Sequence, residues 1–184
     1  MNRADQKAET RRRILDVAHA AFQARGYDAT TLQVVADGAG VAVGTVVAHF
    51  PDKPALVAAA FHADLDAAVA RAWATPSCPD LVDRLVAIAG ELYAFYAKDL
   101  ALYRRMFQES LFFGPGPLRD QLDAFTDGVA REVAARRPDL PAVIAAHGFF
   151  ADYLYVLIGG FAGAIPSTDA QCAVLRGLLD LRLR

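Results

Sequence analysis

The sequence predicts an all-α fold of about nine helices. Apolar residues recur at helical spacing between sparse breaks, alanine is abundant throughout, and strand signals are nearly absent. The breaks fall at Gly26, Gly38 with Gly40, Pro51, Pro76 with Pro79, Gly114 to Pro117, Pro138 with Pro141, and Pro166.

Ile14, Ala18, Ala21 and Phe22 share one face of a first helix, which a helix-stopping glycine should end at Gly26. Thr31 stands where an N-cap is wanted, ahead of Leu32, Val35 and Ala36. A tight Ala39-Gly40-Val41 turn leads to a short helix over Val43 to His49. Pro51 and Asp52 then separate it from a long helix over Lys53 to Trp73. Asp80 to Lys98 carries Leu81, Leu85, Ile88 and Leu92 on one stripe. Leu100 to Phe112 is rich in aromatics. Leu118 to Arg137, Leu140 to Gly163 and Asp169 to Leu183 complete the set.

Composition bounds the function. With 55% hydrophobic and 22% charged residues in 184, the chain can bury a full core. A net charge of −2 excludes nucleic-acid binding by bulk charge. The charge is uneven: residues 1–55 hold seven basic and six acidic side chains, the remainder twelve and fifteen. Arg3, Lys7, Arg11, Arg12 and Arg13 are grouped, which is either a solvated helix end or a basic arm. Cys78 and Cys172 lie far apart without a CxxC pattern, which fits a reducing cytoplasm and argues against a disulfide scaffold or zinc site. The polar start MNRADQKAETRRR has no signal-peptide apolar stretch. Leu140 to Ile165 is long enough to span a bilayer, but His147 and Asp152 in its middle would be costly in lipid. A helix buried inside an oligomer is the better reading, with no membrane partner.

Helix, glycine turn and short helix, spaced as in residues 31–50, match a helix-turn-helix, whose second helix can enter the major groove. Leu32, Val35, Ala36, Val41, Val46 and Phe50 would supply its inner faces. The stretch Thr10-Arg-Arg-Arg-Ile-Leu-Asp-Val-Ala, Phe22, Gly26-Tyr27, Thr30-Thr31, Val35-Ala36, Ala39-Gly40-Val41, Gly44-Thr45, His49-Phe50 and Lys53-x-x-Leu56 resembles the signature of TetR-family repressors.

That resemblance implies a DNA-binding head at residues 1–52 and a ligand-binding and dimerisation body at 53–184. It implies a homodimer paired through its last two helices, double-stranded operator DNA as one partner, and a small-molecule effector that releases the operator. Two positions depart from the family pattern. Ala42 stands where serine usually opens the recognition helix, and Val47 where a phosphate-bonding tyrosine is usual. The first loses a cap worth about 1 kcal/mol. Both weaken contacts that set register rather than sequence.

The DNA-contact candidates are Thr31, Gln33, Val43, Gly44, Thr45, Val47, His49 and Lys53. Thr45 can donate a hydroxyl to phosphate or base, or bond its own helix backbone. His49 can bond a phosphate or cap its helix. Lys53 stands at a helix start, where the dipole also favours an anion. Val43 and Gly44 lie where the helix meets base edges, valine offering only apolar contact. Gln33 could reach a base or phosphate from the preceding helix.

Phe61, Tyr93, Tyr96, Tyr103, Met106, Phe107, Phe150 and Tyr153 could line a ligand pocket or be plain bundle core. As a group they suit a small, largely apolar effector. His62, His147 and Asp152 could orient it, and His147 with Asp152 could instead sit at a dimer interface. Gly159 and Gly163 are expected to allow close helix packing between protomers. Val174, Leu175, Leu178 and Leu179 are expected to join the apolar run before them in the interface. No metal site is expected, since His62 and Asp66 are only two ligands, and no cofactor.

Two rivals stand beside this regulator. Gly38-Ala-Gly40-Val-Ala-Val-Gly44 could pass for a nucleotide-binding loop of an enzyme, but it misses GxGxxG by one residue and no parallel strands accompany it. There is no GxSxG or GKS/T motif, so catalysis is not expected. A helical adaptor with weakened DNA binding is the other rival, suggested by Ala42 and Val47.

Overall fold

A computed structural model describes residues 2–109 and 117–183. Among these residues every regular element is an α-helix: α1 (Arg3–Ala29), α2 (Leu32–Ala39), α3 (Val43–His49), α4 (Lys53–Ala74), α5 (Leu81–Ala97), α6 (Leu100–Glu109), α7 (Pro117–Arg136), α8 (Ala142–Phe161) and α9 (Thr168–Leu183). The all-α expectation holds. The predicted end of the sixth helix at Phe112, and the glycine of the following break, lie outside the described residues.

The chain forms two compact units. One holds residues up to Asp64 together with α6 from Ala101. The other holds Leu65 to Leu100 and the C-terminal helices. The boundary between these compact units falls inside α4, between Asp64 and Leu65.

In the first unit, α1 packs on α2 and α2 on α3. Ile14, Ala18, Phe22, Val35, Ala36 and Val46 are fully buried. Each large apolar side chain contributes roughly 1.5–3 kcal/mol on burial. The first helix breaks where glycine was expected to stop it: Gly26 has φ 75° and ψ 177°. Buried Thr30 fastens that break by donating its hydroxyl to the carbonyls of Ala21 (3.1 Å) and Gly26 (2.9 Å).

In the second unit, α5 packs on α9 and α7, and α8 on both α7 and α9. Leu85, Ile88, Ala146, Phe149, Val156, Leu175 and Leu179 are the centre of its core. Asp80 caps α5 by accepting from the Asp83 N–H at 2.9 Å. The α4–α5 loop is tied down by two arginines. Buried Arg84 donates to the carbonyls of Trp73 (3.0 Å) and Thr75 (2.8 Å), to the Thr75 hydroxyl and to Glu132. Arg136 bonds Glu132, the Cys78 carbonyl and the Ser77 hydroxyl.

Three expectations are corrected here. Leu175 and Leu179 are buried within the protomer, because their face of α9 packs on α5 and α8. The exposed large apolar residues of α9 are Val174 and Leu181. Gly163 has φ 75° and turns the chain out of α8, with the Ala164 N–H reaching back to the Gly159 carbonyl at 2.9 Å. Gly159 lies against Ile165 of the same protomer. Both glycines therefore serve the α8–α9 turn. Asp152 is buried and accepts from Arg182 on α9 at 2.9 Å, so it pairs these two helices rather than facing outward.

Candidate nucleic-acid interface

Helices α2 and α3 are bent by 106° relative to each other, within the range of helix-turn-helix pairs. The turn depends on Gly40, which sits in the left-handed region at φ 64° and ψ 41°. Its N–H reaches Ala36 and Asp37, and the next N–H, of Val41, bonds the Ala36 carbonyl at 3.0 Å. Any side chain here would be strained.

Buried Val46 seats α3 from below, leaving Val43 (38% exposed), Gly44 and Val47 (45% exposed) facing outward. Thr45 is half-buried, and its hydroxyl makes no hydrogen bond among the described residues, including the one to its own helix backbone. Ala42 opens α3 with no side-chain cap, as its methyl requires. The Thr45 N–H bonds the Ala42 carbonyl at 2.8 Å, which leaves the Val43 and Gly44 N–H groups of the first turn without a side-chain cap.

Thr31 accepts the Val34 N–H at 3.2 Å, so its hydroxyl caps α2. Gln33 is exposed, and its amide donates to Asp37 one turn on at 2.7 Å. His49 is half-buried, with its ring 6.3 Å from that of Phe50. Asp52 caps α4 by accepting from the Ala55 N–H at 2.8 Å. Lys53 lies over the face of Tyr27, its nitrogen 4.2 Å from the ring centroid, and reaches the Asp28 carbonyl at 3.4 Å. Arg105 of α6 lies over the same ring at 5.4 Å and faces the Asp28 carboxylate at 3.8 Å. Arg11 lies 4.9 Å over Phe50. The basic residues Arg3, Lys7, Arg11, Arg12 and Arg13 are exposed along α1, with Arg12 paired to Glu9 at 2.8 Å.

The eight ring and methionine candidates divide between the units. Phe61, Tyr103, Met106 and Phe107 belong to the first. Phe61 is buried there between Phe22, His19 and Tyr103, at centroid separations of 6.4, 4.6 and 6.1 Å. Met106 and Phe107 are half-buried. In the second unit Tyr93 and Tyr153 stack at 5.2 Å, and the Tyr93 hydroxyl donates to the Tyr153 carbonyl at 3.3 Å. Tyr96 packs edge-on to Phe161 and shares a hydrogen bond with the Tyr153 hydroxyl. Phe150 is half-buried, 6.2 Å from Tyr153. Burial pushes the Tyr96 phenol up to about 12. Burial, then the neighbouring phenols Tyr96 and Tyr93, push Tyr153 up as well.

Of the other polar candidates, His147 is exposed and its ring contacts the Val143 carbonyl at 2.7 Å. One Asp152 oxygen is buried without a hydrogen-bond partner. No cluster of three or more metal-ligating side chains occurs among the described residues. Sequence reasoning missed Arg84, Trp73, Arg131 and Arg136. The Glu132–Arg136 pair was readable from its one-turn spacing. Arg84 offered no such signal.

Residues 14–60 match the family model described as bacterial regulatory proteins, tetR family. These residues form a TetR-family head. The HTH-type transcriptional repressor KstR of Mycobacterium tuberculosis is 30% identical over 141 residues, 73% of this chain. The chain covers 63% of that relative's length. Among solved structures, Thermus thermophilus FadR, a TetR-family transcriptional repressor in complex with lauroyl-CoA, superposes with a TM-score of 0.67. It shares 24% identity over 94% of this chain and 93% of its own. The fatty acid degradation regulator FadR of Bacillus halodurans gives 0.64 at 16% identity, covering 92% and 94%. At these identities the likeness establishes the TetR fold for the chain as a whole.

Proposed function

We propose that this TetR-family chain is a ligand-responsive, DNA-binding transcriptional repressor and not an enzyme. The observation that carries the reading is the exposed outer face of α3, set at 106° to α2 inside a TetR-family head. Val43, Gly44, Thr45 and Val47 meet the major groove, while Lys53, His49 and the arginines of α1 hold phosphates. Thr31 and Gln33 flank the backbone from α2. Residues 1–52, together with Lys53 at the start of α4, serve DNA, and the rest of 53–184 serves the effector and the dimer.

A second copy of the chain covers the apolar outer face of the last two helices. On α8, Ile144 (71% exposed), His147, Ala151, Tyr155 (65% exposed) and Ile158 recur at three- and four-residue steps. On α9, Val174, Gly177 and Leu181 (89% exposed) do the same. This is the pattern of a helix-packing seam. Helix α8 is also long and apolar enough to cross a membrane, with 39% of its window buried. The exposed His147 and buried Asp152 disfavour lipid. A protein dimer acting in the cytoplasm is the better occupant.

The effector is small and largely apolar. Within the second unit Tyr96 and Phe150 keep partly open surface, and the phenols of Tyr93, Tyr96 and Tyr153 are already bonded within the protein. Its binding favours a conformer with lower operator affinity.

Enrichment of duplexes from a random library, followed by anisotropy titration, tests this reading. A two-fold symmetric site should emerge and bind two protomers. Failure to enrich any site, by a protein that sediments as a folded dimer, would leave the helical-adaptor reading in its place.

A further inference from the structure

A cleft of about 300 Å³ opens between the last turn of α4 and one face of α7. Trp73 forms one wall. Gly128, Arg131, Glu132, Ala135 and Arg136, at successive positions along α7, form the other. None of the eight ring and methionine candidates lines it. We propose that this cleft binds a small, flat organic anion such as an aryl carboxylate.

Charge, shape and size support the assignment. Arg131 and Arg136 line the cleft beside a single carboxylate, Glu132, which Arg84 also reaches from α5. Glu132 already accepts from Arg84 and Arg136, so the cleft keeps a net positive charge. Arg131 is exposed and makes no ion pair or hydrogen bond among the described residues, leaving its guanidinium free to take a carboxylate. The Trp73 indole packs 5.4 Å from Phe125 and is only partly buried, which fixes its plane and leaves it surface to offer a ring. Gly128 is required at its place because a Cβ there would overlap that indole. The volume holds about ten water-sized groups, enough for one aromatic ring and its acid group. Arg136 is held by the Cys78 carbonyl and the Ser77 hydroxyl of the α4–α5 loop, so this cation of the cleft is pre-organised.

Trp73 is the sole tryptophan of the chain, so its fluorescence reports on the cleft directly. The full-length protein is titrated with sodium benzoate, with benzyl alcohol as the uncharged analogue and sodium sulfate as the anion without a ring. Benzoate should change the emission saturably, and the two controls should bind at least about tenfold more weakly. Arg131→Gln, an exposed change that leaves the fold intact, should weaken benzoate about tenfold. Ligand-observed NMR on Trp73→Phe, which keeps an aromatic wall, should still detect benzoate, and adding Arg131→Gln should remove it. Equal responses to benzoate and benzyl alcohol, undiminished affinity in Arg131→Gln, or no saturable response would each overturn the proposal. The titration contains no DNA, so its outcome is independent of the regulator reading.

Discussion

The ammonium of Lys53, at the first residue of α4, rests 4.2 Å above the ring of Tyr27. The ring and the Asp28 carbonyl, which accepts from Lys53 at 3.4 Å, hold the ammonium in place without neutralising its charge. Lys53→Ala should weaken duplex binding by a similar factor on operator and on scrambled DNA. It should also reduce the slope of log affinity against log salt by about one per engaged head. Anisotropy titrations at several salt concentrations measure both. A change confined to sequence preference would make Lys53 a base reader.

Val47 offers the opposite kind of change. It is 45% exposed on the outer face of α3, so a larger side chain meets solvent there rather than core. Val47→Tyr adds a phenol able to bond a phosphate, an interaction of roughly 1.5–3 kcal/mol before ordering costs. Binding should tighten about tenfold per engaged head, on cognate and scrambled duplexes alike. Weaker operator binding by a folded variant would show that Val47 itself meets a base.

Arg84 should matter to stability more than any exposed charge. It is 4% exposed and feeds two carbonyls, a hydroxyl and a carboxylate. Arg84→Met should cost about 3–5 kcal/mol, because Glu132 and the Trp73 and Thr75 carbonyls lose a buried partner. Urea unfolding measures this. A loss below about 1 kcal/mol would mean that water replaces the guanidinium.

The buried phenols set an alkaline limit. Tyr96 has its ionisation raised from 10.0 to about 12 by burial. The folded chain thus binds this proton more tightly than the unfolded chain. The associated stability is complete below about pH 10 and is lost as pH rises toward about 12. The urea midpoint should fall over that window, and Tyr96→Phe should flatten the fall. An unchanged slope in the variant would place the loss elsewhere.

Much of this was readable from residues alone. Gly26, Gly40 and Thr31 mark their break, turn and cap because backbone demands act within one helical turn. The α3 face was readable for the same reason. Long-range choices were not. Leu175 and Val174 are adjacent and equally apolar, yet one packs inside the protomer and the other faces out, a matter of how α9 rotates against α5 and α8. Arg84 carries no local signal, because its partners Thr75 and Glu132 come to it from 9 and 48 residues away. Gly163 fits a close-packing motif by spacing, and only its backbone angle assigns it to a turn.

The central claim is that the outer face of α3 carries DNA recognition, and one paired measurement addresses it. Gly44→Asp and Val47→Asp place a negative charge on that face without entering the core. Each is compared with the parent chain by anisotropy on the enriched duplex, after circular dichroism has established equal helicity. The account predicts that binding falls by at least about a hundredfold for both, since each charge must face DNA phosphates in little intervening solvent. Two folded variants that bind the duplex as tightly as the parent would contradict it.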